Sequence, residues 1–219
     1  MTDQTPNTGS RPWAVIGALV LGCVAVTVLV ALYVWQIDTR DAKVAEAEQH
    51  AQAVLHLQDA AADGDIAGEL IVAYVSQGDD ALIPQIQEYS GKAIISITSA
   101  LSLTSSESVS AIALEGSSLA DGAGQIIALR QTGNVEAAAA TLEELRASFN
   151  AFGAALENAT NSELDAAASL QTDADNADQT ASWLLITAMA VGVSTGLGLL
   201  YVVLSSLLRR RVTETATPA

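Results

Sequence analysis

The sequence predicts an all-α protein, a membrane-anchored up-down four-helix bundle flanked by two transmembrane helices. Two uncharged stretches, Trp13 to Ile37 and Trp183 to Leu208, are each longer than the roughly 20 apolar residues that cross a bilayer core. The segment between them is rich in Ala, Leu, Glu, Gln and Ser, holds a single proline, Pro84, and repeats its apolar residues in steps of three and four. Three turn signals divide that segment, and three breaks make four helices.

Residues 1–12 read as a cytoplasmic tail and 13–37 as the first span. A cleavable signal peptide has an apolar core of roughly 7–15 residues and a small-residue cleavage site. This run is longer and ends in Tyr33, Val34, Trp35 and Gln36, which favours an uncleaved anchor. Val20-Leu21-Gly22-Cys23 resembles a loose lipoprotein cleavage box, but processing there would leave apolar Val24 to Trp35 at the start. Cys23 is the only cysteine, so no intrachain disulfide can form, and it reads as a small residue in a membrane helix.

The first extramembrane helix is expected over about 39–77. Asp63-Gly64-Asp65 offers an alternative break, but a helix stopping at Ala62 would be about half as long as the last one at about 1.5 Å per residue. An up-down arrangement needs both membrane-connected helices to reach one tip, so Gly64 and Gly68 are weak points inside a long helix. Gly78-Asp79-Asp80 makes the first break, and Pro84 is tolerable only near the start of the second helix, 80–103. Thr104-Ser105-Ser106-Glu107 has capping-box spacing and opens the third, 105–131. At Thr132-Gly133-Asn134, glycine suits a left-handed stop and asparagine caps the fourth, 135–182.

That last helix carries the clearest seam: Leu142, Leu145, Phe149, Phe152, Leu156 and Ala159. After a phase slip near Thr160 it resumes at Leu164, Ala167, Leu170, Ala174, Ala177, Ala181 and Leu184, and runs directly into the second span, 183–208. Arg209, Arg210 and Arg211 open the tail 209–219, whereas no Lys or Arg lies between Phe149 and Trp183. Cytoplasmic flanks carry the excess of basic residues. The tail is therefore expected in the cytoplasm and 38–182 outside the cell (inner/cytoplasmic) membrane, with Trp13, Tyr33, Trp35, Trp183 and Tyr201 near the headgroups.

Of the 25 acidic residues, 23 lie within 38–182, against five basic ones, Arg40, Lys43, Lys92, Arg130 and Arg146. So negative a surface repels nucleic acid and anionic headgroups, which removes both from the expected ligands. It suits solvation, a cationic partner or divalent ions, or a salty habitat where carboxylates are screened. In the spans, Ala14, Ala18 and Gly22 recur every four residues, as do Ala188, Gly192 and Gly196. Small residues at that spacing let membrane helices approach closely, between two copies of the chain or between its own two spans. A stalk of two Ala-lined helices is poorly buried alone, so a homodimer is expected.

The order of span, long helix, two shorter helices, long helix and span resembles the four-helix sensor domain of bacterial chemoreceptors and some sensor histidine kinases. Thr132-Gly133-Asn134-Val135-Glu136-Ala137-Ala138 is similar to the turn that often opens the last helix of such domains. The resemblance covers roughly 13–208 and implies signal perception. It extends to neither a HAMP linker nor an output domain, because Arg209-Arg210-Arg211 and Val212 to Ala219 follow the second span. The expected role is therefore perception or modulation through a separate membrane signalling protein. The alternatives are a non-sensing scaffold subunit of an envelope complex, or a receptor fragment lacking its signalling half.

Chemistry-bearing groups are sparse. His50 and His56 stand six residues apart, about 240° around a helix, and share no face. Asp173, Asp175 and Asp178 lack the glycine turn and distal Glu of a calcium loop. The Asn158-Ala159-Thr160 sequon falls inside a helix. With neither a nucleophile and base grouping nor a metal-ligand cluster in the pattern, no catalysis, metal or cofactor is expected. Lys92, Arg130 and Arg146 are the basic groups well inside the domain, and an anionic ligand would need one of them.

Overall fold

One helix, α1, runs without interruption from Arg11 to Gln77, Gly64 and Gly68 included. The structure is a computed structural model that describes the backbone of residues 11–214 and side chains within 17–205. A single 3₁₀ turn, Asp80–Leu82, follows, then α2 (Ile83–Leu103), α3 (Glu107–Gln131) and α4 (Val135–Glu214). Among the described residues there is no strand.

The helix ends follow from local chemistry. Gly78 at φ +69° and Gly133 at φ +79° are the described residues with left-handed backbone. Gly78 N–H closes α1 on the Tyr74 carbonyl at 2.8 Å. At the end of α3, Gly133 N–H reaches Arg130 O at 3.0 Å and Asn134 N–H reaches Leu129 O at 2.9 Å, a Schellman stop. Asp79 caps the 3₁₀ turn by accepting from Ala81 N–H at 3.0 Å, and Asn134 caps α4 through Ala137 N–H at 3.3 Å. Pro84 sits in the first turn of α2, where its missing N–H costs nothing.

The capping box expected at Thr104 does not form. α3 begins at Glu107, its N-cap is Ser106, and no side-chain cap bond is made there. Thr104 instead ends α2, with its N–H and hydroxyl both directed to Ala100 O at 3.1 and 3.4 Å. Burial explains the choice: Thr104 is only 5 % exposed, so its hydroxyl satisfies a carbonyl on the helix it terminates.

Two compact units divide the chain. Lys43–Thr172 holds the core, in two clusters that each draw on all four helices. One joins Ile71 and Tyr74 of α1 to Ile86 of α2, Ile126 of α3 and Leu142 of α4. The other joins Leu57 of α1 to Ile97 of α2, Val109 and Ile112 of α3, and Phe152 and Leu156 of α4. Tyr74, Leu57, Ile71, Ile86, Ile97, Ile126 and Val109 are the large side chains sealed completely. Each contributes about 1.5–3 kcal/mol of burial free energy, whereas each of the many alanines buries little area. Gly122 matters for close approach, because a Cβ there would lie 2.6 Å from Leu145 Cδ1.

The α4 seam differs from the expected one just after Ala159. Leu164 is 54 % exposed, and Glu163 takes the inward position at 2 % exposure. With Glu163 included, the three-four stepping continues from Ala159 through Ala166 and Leu170 without a slip near Thr160. A carboxylate at one seam position accounts for the apparent slip.

The other unit comprises the segments up to Ala42 and from Asp173 onward. Here α1 and α4 are long and apolar enough to cross a membrane; none of the apolar window in α1 and 6 % of that in α4 is buried. Arg40 Nε lies 3.5 Å from Asp178 Oδ1, tying the two helices just beyond their apolar stretches.

Candidate functional site

A cavity of about 500 Å³ opens within the Lys43–Thr172 unit, between its two core clusters. Missing side chains create it. A Cβ built at Gly68 or Gly153 meets nothing within 4 Å, and one at Gly64 would only touch Phe152 at 3.8 Å. Gly116 plays a different part: its Cβ would come within 3.3 Å of the Phe152 ring, so glycine there lets the ring lie against α3. The chain has two phenylalanines, Phe149 and Phe152, and both line the cavity.

The exposed lining residues are Asp65, Glu69 and Val72 of α1 and Arg146, Asn150 and Gly153 of α4. The mouth therefore lies between α1 and α4, while α2 and α3 contribute the floor, including Ser90, Ile97 and Leu119. Asp65 and Glu69 stand one turn apart, and neither is ion-paired among the described residues. Arg146 is bound by Glu143 on its own helix at 3.2 Å. The mouth is thus apolar inside and carries a net negative edge.

The structure does not bring the three expected cationic ligand residues together. Arg146 lines the cavity, but Lys92 stands exposed on α2, bonded to Glu88 at 2.7 Å and 4.8 Å from the Tyr89 ring centre. Its ammonium is held above the ordinary lysine pKa chiefly by the Glu88 hydrogen bond. Arg130 sits at the turn after α1: a Cβ at Gly78 would lie under its guanidinium, and its buried Nε has no hydrogen-bond partner. Beside it the Tyr74 hydroxyl donates to Asp80 at 3.4 Å. Burial, and then Asp80, raise the Tyr74 pKa, while Arg130 opposes the rise.

His50 Nδ1 lies 2.5 Å from Glu163 Oε2, with side-chain exposures of 20 % and 3 %. It is a part-buried bond between α1 and α4 that ties their register. Glu163 is the functional-looking residue that apolar pattern matching misses; the unbroken heptad phase from Leu142 was its signal. No group of three metal-ligating side chains occurs among the described residues. Asn158 is exposed within α4.

In the two apolar segments, the small residues divide. A Cβ on Gly22 would lie 2.6 Å from Thr195 Oγ1, one on Gly192 would lie 4.0 Å from Val26, and Ala188 is 6 % exposed. Gly22 and Gly192 thus lie where the two apolar segments of one chain meet, and Ala188 is buried in the same unit. Ala18 is exposed and Gly196 faces open space, while the Ala14 side chain lies outside those described. No protein-family model, curated protein or solved structure matches the chain.

Proposed function

We propose that the chain is a two-span protein of the cell membrane whose residues 38–182 form an extracytoplasmic up-down four-helix bundle that senses a small molecule. One observation carries the reading: the cavity mouth is flanked by α1 and α4, the same two helices that contain the apolar windows. An occupant that separates, draws together or offsets these helices acts directly on the segments that enter the bilayer. Displacements of about 1–2 Å between packed helices are a recognised switching device. The basic cluster Arg209 to Arg211 supports a cytoplasmic C-terminus.

The signal would pass to a separate membrane signalling protein, with a homodimer as the working unit. Exposed Ala18 and the open face at Gly196 remain for contact with a second copy. Catalysis has no part in this reading.

Cysteine labelling tests the orientation. In a Cys23→Ala background, Ser117→Cys on the exposed face of α3 should react with a membrane-impermeant maleimide in intact cells. A cysteine appended after Arg211 should react only after lysis. The reverse pattern would place the four-helix unit inside and end the proposal.

A further inference from the structure

We propose that the cavity takes an apolar molecule with a cationic head, an aryl- or alkylamine, its ring beside Phe149 and Phe152 and its ammonium at Asp65 and Glu69. This deepens the sensing reading by naming the class of ligand. Its size falls within the about 300–1,000 Å³ of small-molecule pockets, and its interior is apolar on all four helices. Aromatic walls favour a ring through offset or edge-to-face contact.

Head-group chemistry follows from the mouth. Arg146 gives Nη1 to Glu143, whose charge already offsets its own, so an incoming carboxylate meets no uncompensated cation at the mouth. It would also meet Asp65 and Glu69 and cross the field of a segment with 23 acidic and five basic residues. An ammonium meets the opposite situation. Two carboxylates one helical turn apart can both reach it, and the acidic segment raises its local concentration. A neutral head gains neither advantage. Asn150 and Ser90 add polar contacts that do not discriminate between heads.

The test uses the full chain in detergent with the Cys23→Ala background. Ser90→Cys places a thiol in the cavity wall, and its rate of maleimide modification reports occupancy; Ser117→Cys, outside the cavity, is the control. The probes are 4-phenylbutylamine, 4-phenylbutan-1-ol and 4-phenylbutyrate, which share one apolar body. The amine should slow Ser90→Cys modification at least fivefold at a concentration where the others slow it less than twofold, with the control rate unchanged. Asp65→Asn combined with Glu69→Gln should reduce the amine to the level of the alcohol. Gly153→Leu, or Gly68→Val as a second filling variant, should remove protection by all three while helicity is retained.

Equal protection by the three heads overturns the cationic assignment, and protection by none overturns the cavity as a binding site. The orientation labelling is independent. Maleimide protection in detergent can succeed when that labelling fails, or fail when it succeeds, so the two proposals fall separately.

Discussion

Replacing His50 with leucine should destabilise the four-helix unit far more than replacing Glu163, because the two members of the pair differ in burial. Glu163 is 3 % exposed and His50 20 %. Without the imidazole, a carboxylate is left buried with no partner, a loss of about 3–5 kcal/mol. Without the carboxylate, His50 keeps its access to water, and a leucine at 163 adds apolar contact to the seam. That single change should cost no more than about 1 kcal/mol. The double change to leucine should approach the wild type, because apolar replacement of a buried pair is often neutral. A coupling of at least about 2 kcal/mol follows. Urea unfolding of the full chain in dodecyl maltoside, followed by circular dichroism, measures it, since the micelle retains the spans while urea melts the water-exposed helices. At a slope of about 2 kcal/mol/M, His50→Leu should lower the midpoint by roughly 1.5–2.5 M. Equal, small and additive effects of the two single changes would refute the pair as an energetic unit.

Alanine at Gly78 and Gly133 separates two costs. At Gly133 the space is open, so Gly133→Ala should lose only the left-handed backbone preference, about 1–2 kcal/mol. Gly78→Ala adds a collision with the Arg130 guanidinium and should lose more, as read by the same urea midpoints. Tyr74 sets an alkaline limit: its folded pKa is raised above the ordinary 10.0, so its contribution is fully present below about pH 10 and is lost as pH rises through the folded value. Thermal melts of Tyr74→Phe should lose that part of the alkaline decline, and an unchanged pH profile would contradict it.

Much of the helical plan was legible because a few residues admit one local solution. Glycine before Asp79 and glycine before Asn134 mark left-handed stops followed by side-chain caps, and the backbone adopts both. Thr104 misled because a hydroxyl can satisfy either the helix behind it or the one ahead, and burial within the core decides which. Glu163 misled because a seam position tolerates a carboxylate when a neighbouring helix offers an imidazole at the same level. The cavity was not legible at all: periodicity records where side chains are, whereas this space exists at Gly68 and Gly153, where they are missing. Lys92, Arg130 and Arg146 share only their charge, and helix phase sends only Arg146 to the mouth.

A hollow carved by omitted side chains inside unbroken helices is unusually easy to retune. At Gly68 and Gly153 each successive enlargement, to alanine and then to valine, trims the space by a methyl or two without asking the backbone to bend. Alanine would even firm the helix by about 1 kcal/mol. Selection could therefore alter which molecules fit by single codon changes, leaving caps, turns and register untouched.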